Sequence, residues 1–129
     1  MRPQQIGPIA LSLLLACLLG CSGDDCPTCP EDELVISVSP GTIPYFTWCP
    51  SDDLFSVLLV ETTERSNQWC VNAYGGNMIA SGVEYGVVPP VAVETIEAVP
   101  LEQGTEYRIV LFQRGSSGNV PAGSQTFTP

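Results

Sequence analysis

The chain has 129 residues, and its four arginines face 14 acids with no lysine and no histidine, a formal charge of −10 at pH 7. That balance repels phosphate backbones and offers no basic cluster, so it argues against nucleic acid as a partner. It also removes Ser-His-Asp and Cys-His pairs, Schiff-base lysines and histidine metal sites, so the expectation is a protein with no catalysis of its own and no cofactor.

The first element is an apolar run, Ile9 to Leu19, preceded by Arg2 and closed by Leu18-Leu19-Gly20-Cys21 before Ser22-Gly23-Asp24-Asp25. A basic start, a short apolar stretch and a small residue before the break have the anatomy of a secretory signal. The run is shorter than the roughly 20 residues that a membrane span needs. Leu-Leu-Gly-Cys resembles the lipobox of bacterial lipoproteins. The resemblance implies that residues 1–20 are a removed signal and that Cys21, acylated, starts the mature chain. A second match, Leu14-Leu15-Ala16-Cys17, would strand Leu18 and Leu19 at the new terminus and shorten the apolar run, so it ranks below the first. Each buried acyl methylene contributes about 0.8 kcal/mol, so two or three chains would hold the protein firmly. The expected partners are therefore the membrane, through the lipid anchor, and an envelope protein or polysaccharide. Ser22 after the cysteine resembles the lipoprotein pattern that directs export to the outer membrane.

Removing 20 residues leaves 109, enough for one domain with one core. The loss of Arg2 takes the net charge from −10 to −11, which suits the solubility of an exported domain. Residues 21–33 then read as the acylated cysteine and a flexible acidic linker, because 22–33 hold no apolar residue except Cys26 and Cys29. From Leu34 the texture becomes short runs of Val, Ile, Thr and aromatics closed by Gly, Pro, Asn, Asp or Ser. Strands are predicted near 34–39, 42–48, 54–62, 67–72, 77–80, 92–98, 106–113 and 123–128. Such spacing predicts an all-β sandwich spanning 34–129.

Two stretches carry a more specific resemblance. Leu101-Glu-Gln-Gly-Thr-Glu-Tyr107, running into Arg108-Ile109-Val110-Leu111-Phe112, is similar to the L-x-P-G-T-x-Y lead into strand F of fibronectin type III domains, with Gln103 where proline is frequent. Phe46-Thr47-Trp48-Cys49-Pro50 resembles the end of strand B in the same family. The resemblance implies an immunoglobulin-like sandwich of about seven strands, with Trp48, Leu101 and Tyr107 in its core and the Tyr107 hydroxyl bonded to upstream backbone. It also implies that the turns at 50–53 and 114–119 share a pole with the N-terminal tether. The glycine-rich passage 63–91 is longer than this family carries and has no placement.

Once Cys17 is removed and Cys21 acylated, Cys26, Cys29, Cys49 and Cys70 remain, and four cysteines in an oxidising compartment allow three pairings. The expected set is Cys49 with Cys70 and Cys26 with Cys29. The competing idea joins Cys29 to Cys49, because the first strand begins at the pole where the second ends. Cys26-Pro-Thr-Cys29 has thiol-oxidoreductase spacing, but the surrounding carboxylates would raise a thiol pKa and blunt its nucleophilicity. A four-cysteine zinc site lacks paired spacing. Asp52-Asp53 has turn composition, with a calcium-binding accessory role as the lesser alternative. Core patterning leaves Trp69, Tyr74 and Tyr85 unclaimed, and these three are the candidate surface for a partner or a sugar.

Overall fold

The computed structural model describes residue 29 and residues 33–129. The signal at 1–20, the acylation of Cys21, and Cys26 lie outside the described residues. Eight strands follow in order: β1 (Val35–Val38), β2 (Tyr45–Cys49), β3 (Val57–Thr62), β4 (Asn67–Ala73), β5 (Val83–Glu84), β6 (Ala92–Ile96), β7 (Tyr107–Gly115) and β8 (Gly118–Phe127). They form two antiparallel sheets, β1-β2-β5 and β6-β4-β3-β7-β8, so the described residues form the expected all-β sandwich, with eight strands.

Alternation explains most of the strands. Along β7, Tyr107, Ile109 and Leu111 are buried while Arg108, Val110 and Phe112 take the outer face, the period-2 pattern of a half-covered sheet. The sequence Val57-Leu-Leu-Val-Glu-Thr62 is buried nearly throughout, and β3 accordingly lies at the centre of its sheet, between β4 and β7. Inward residues of both sheets build one core around Phe46, Trp48, Phe55, Leu58, Trp69 and Ile109.

Aromatic contacts join the layers. Phe127 of β8 lies 5.7 Å from Phe46 edge-on and 5.8 Å from Tyr107, and Trp48 meets Phe55 in a T at 5.3 Å. Such pairs add about 0.5–1.5 kcal/mol each beyond their buried area. The Trp48 indole N–H donates to the Asp53 carbonyl at 2.8 Å, so the ring closes the turn that follows its own strand. The Glu102 N–H donates to the Tyr107 hydroxyl at 2.9 Å and fixes the loop entering β7.

Three boundaries differ from expectation. The strand predicted at 77–80 is a single bridge, Ile79 to Phe55, and the paired segment lies further on at Val83–Glu84. Gly75 and Gly82, both at positive φ, turn the chain on either side of Ile79 and leave no run long enough for a ladder. The last strand begins at Gly118, five residues before the predicted start, because Ser116-Ser117 makes a two-residue hairpin between Gly115 and Gly118. Pro121 is tolerated there because β8 is an edge strand with a register shift opposite Leu111 and Phe112. Gly123 then lets Leu34 pack against the backbone of β8, where a Cβ would collide with the leucine.

Edge strand β6 is blunted in two ways. Its ladder with β4 slips between Cys70 and Val71, and the exposed Glu94 places a charge on the edge, where it accepts the Trp69 indole N–H at 2.8 Å. Bulges and charged side chains on an edge strand discourage pairing with another chain.

The disulfide joins Cys29 to Cys49, which corrects the expected pairs Cys49–Cys70 and Cys26–Cys29 in favour of the competing idea. The β1–β2 register sets Val35 opposite Cys49, bringing the chain before β1 to the end of β2, with the two bridged Cα atoms 5.2 Å apart. Cys70 belongs to the other sheet, and on its outer face, since Trp69 and Val71 fill the inner one. Sheets stack about 10 Å apart, beyond the roughly 7 Å between Cα atoms that a bridge can span. Among the described residues Cys70 has no disulfide partner.

Candidate binding surfaces

Trp69 and Tyr85 are core residues, at 0% and 6% exposure, which corrects their place on the candidate surface. Their rings meet edge to face at 5.2 Å. The Tyr85 hydroxyl donates to the Val99 carbonyl at 2.5 Å, and burial pushes its pKa up to about 12. The indole of Trp69 is satisfied by Glu94, so neither ring offers a polar tip to a ligand. Tyr74 does remain half-exposed at 49%, with its hydroxyl on the Pro90 carbonyl at 3.3 Å.

Two surfaces replace the expected one. The first lies beside β5, where Tyr45 (48% exposed) and Val87 (54%) border an apolar groove of about 460 Å³ floored by Met78, Val83 and Val88. Tyr45 begins β2 and Cys49 ends it, so a strand rise of about 13 Å separates this groove from the disulfide pole. Pro89 and Pro90 line the same groove and are followed by β6, which leaves Tyr74 on this side through its bond to Pro90.

The second surface is the outer face of the larger sheet. Leu59, Val110 and Phe112 floor an open groove of about 600 Å³, with Arg65, Arg108 and Glu61 at one end and Pro121 to Ser124 along one side. Arg108 donates through Nε to Glu61 at 3.0 Å, an ion pair whose carboxylate is largely buried. Arg65 closes the β3–β4 hairpin at φ 72°, a left-handed conformation where glycine or asparagine is the usual choice. Cys70 faces the same side as Leu59, its register partner, and burial holds its thiol above the ordinary value, so it is a poor nucleophile.

The pole expected to carry the tether is well tied. Ser56 donates to the Asn119 side chain at 2.6 Å, joining the start of β3 to the β7–β8 turn. Asp52 and Asp53 stand in the turn after β2, and among the described residues no three His, Cys, Asp or Glu side chains converge on one point. Cys29, bonded to Cys49, is not available as half of a C-x-x-C dithiol.

Sequence reasoning overlooked Tyr45 and the arginine groove. Tyr45 had a usable signal, since it lies one residue before inward Phe46 and so faces out. Arg108 likewise follows inward Tyr107. Comparison with protein-family models, with curated proteins and with solved structures finds no match for the chain.

Proposed function

We propose that the chain is a lipid-anchored binding module of the bacterial cell envelope, at the outer membrane, built on a fibronectin type III-like sandwich. Cys21 carries the acyl groups, the domain performs no chemistry of its own, and it offers an envelope protein the apolar surface around Tyr45, Tyr74 and Val87. The observation that supports this reading is the position of that surface: two half-exposed tyrosines and Val87 lie beside an apolar groove, away from the pole where the tether joins the domain. Aromatic anchors flanking an apolar pocket are the usual centre of a protein contact.

The disulfide shapes the tether. With Cys29 bonded to Cys49, eight peptide links separate Cys21 from the domain, a span of at most about 28 Å. A tether ending at Leu34 would have allowed about 45 Å. The domain therefore stays close to its own membrane.

The experiment is purification of the intact protein from envelopes, with mass spectrometry of its N-terminal peptide and of co-purifying proteins. Expected are a diacyl- or triacylglyceryl Cys21, release from the membrane in Cys21→Ser, and loss of one fixed partner in Tyr45→Ser/Val87→Ser. An unmodified Cys21 contradicts the anchor, and a partner that survives the double variant contradicts the surface.

A further inference from the structure

We propose that the second half of β8, Gly123 to Phe127, is a docking edge distinct from the Tyr45 surface, which takes an uncharged extended segment of another envelope protein as an added strand. Edge protection carries the argument first. Free sheet edges invite pairing, and proteins blunt them with bulges, charges, proline or short length. β6 has its slip and Glu94, β5 has two residues and β1 has four. β8 is ten residues long and carries no charge, although the chain as a whole stands at −10. Pro121 and the register shift beside it protect only its first half, and the stretch from Gly123 to Phe127 holds no proline, charge or shift.

Backbone direction is the second observation. The Phe112 carbonyl accepts the Ser56 N–H at 2.8 Å, and the Thr62 N–H donates to the Ser66 carbonyl at 2.9 Å, so Phe112 turns its backbone toward β3 while Thr62 turns its own away from β7. Alternation then gives Val110 and Arg108 to β3, and Tyr107, Ile109 and Leu111 to β8. Their register partners Phe127, Gln125 and Gly123 take those bonds. The N–H and C=O groups of Ser124 and Thr126 therefore point off the edge, where the Thr126 carbonyl meets the side-chain amide of its neighbour Gln125 at 3.1 Å. Such a row of groups recognises extended backbone.

Side chains and tether together select the occupant. Gln125 stands opposite inward Ile109 yet is exposed, and Leu34, which packs on Gly123, is half-buried, so the core is unfinished along this edge. An added strand would lay apolar residues toward Leu34 and hydroxyl residues beside Ser124 and Thr126. A charge in that row would find no partner on β8. A second copy pairing antiparallel about Gln125 would set the two tether poles about 46 Å apart at opposite ends, since about 23 Å of strand separates Gly118 from Gln125 in each. For domains standing upright, the span of at most about 28 Å from Cys21 to Cys29 cannot bring both poles to one membrane. That exclusion of a second copy rests on the lipid anchor proposed above.

The test is titration of the isotopically labelled full-length chain with a peptide of alternating threonine and valine between terminal lysines, and with an analogue that has proline for each valine, followed by NMR shifts and amide hydrogen exchange. Expected are saturable shifts confined to Leu34 and to Gly123 through Phe127, exchange at Ser124 and Thr126 slowed about tenfold or more, and no response to the proline analogue. Thr126→Pro should abolish binding and lower the urea midpoint less than Gln125→Pro does, because only the Gln125 N–H belongs to the β7 ladder. Protection of the Ser124 and Thr126 amides in the free chain, equal response to the proline analogue, or no shift with either peptide each overturns the proposal. Dimerisation in sedimentation that protects the same two amides overturns it in favour of a second copy. Acylation of Cys21 is read separately by mass spectrometry, so the anchor and the edge fail independently, and none of these outcomes bears on the Tyr45 surface.

Discussion

Replacing Tyr107 by phenylalanine removes one oxygen and leaves the packing volume almost unchanged. Its hydroxyl accepts the Glu102 N–H at 2.9 Å, beside Leu101, which is itself buried. A neutral hydrogen bond contributes about 1 kcal/mol net, and a donor left dry costs up to about 3. Glu102 lies on an exposed loop where water can reach part of the freed N–H, which sets the expected loss at about 1–2 kcal/mol. For a domain of this size each kcal/mol moves the melting point by about 4–8 °C, so Tyr107→Phe should melt about 5–15 °C lower. Urea unfolding followed by far-ultraviolet dichroism measures it, with the slope unchanged and only the midpoint shifted. Tyr45→Phe, which alters an exposed phenol, should stay within about 0.5 kcal/mol. If Tyr107→Phe is as stable as the parent, the bond to Glu102 does not hold the entry to β7 and the reasoning fails.

Cys29→Ser/Cys49→Ser opens a loop with a sequence separation of 20 residues and should cost about 3 kcal/mol, whereas Cys70→Ser should cost about 0.5 kcal/mol or less; peptide mapping without reductant and urea midpoints check both. The Tyr85 phenol ionises near 10 in the unfolded chain and near 12 when folded, so its own contribution to stability should be constant below pH 10 and decline from there to pH 12. In Tyr85→Phe that alkaline decline should be shallower, as read from urea midpoints across the range. Gly123→Val should lower stability by about 1–3 kcal/mol by driving a side chain into Leu34, with a melting curve as the readout.

The sandwich was legible because its longer strands obey period 2. Tyr107, Ile109 and Leu111 alternate with polar or outward neighbours, and Trp48 follows Phe46 at the same spacing, so their inward faces could be assigned residue by residue. The passage after β4 was not legible, because two residues of β5 pair with β2 while β6 returns to the sheet of β4, a choice made by glycines and by contacts distant in sequence. Trp69 was misplaced for a different reason. The predicted strand at 67–72 contains it, but core patterning left it unclaimed beside the glycine-rich passage, although Trp69 and Val71 already alternate with Cys70 between them. Tyr85 had only the short alternation Val83-Glu84-Tyr85 as a local signal, and its partners, Trp69 and the Val99 carbonyl, come from other strands and loops. The cysteine pairing depended on which sheet each strand joins, and that is decided by pairing partners rather than by the cysteines' own neighbours.

The central claim is that this sandwich meets an envelope protein through the surface at Tyr45. Placing a photo-activatable phenylalanine at position 45, and separately at Val120 on the far edge strand β8, in cells with intact envelopes tests it most directly. The account predicts one discrete cross-linked protein from position 45 and none in common from position 120. Equal cross-linking from both, or no product from position 45, would contradict it.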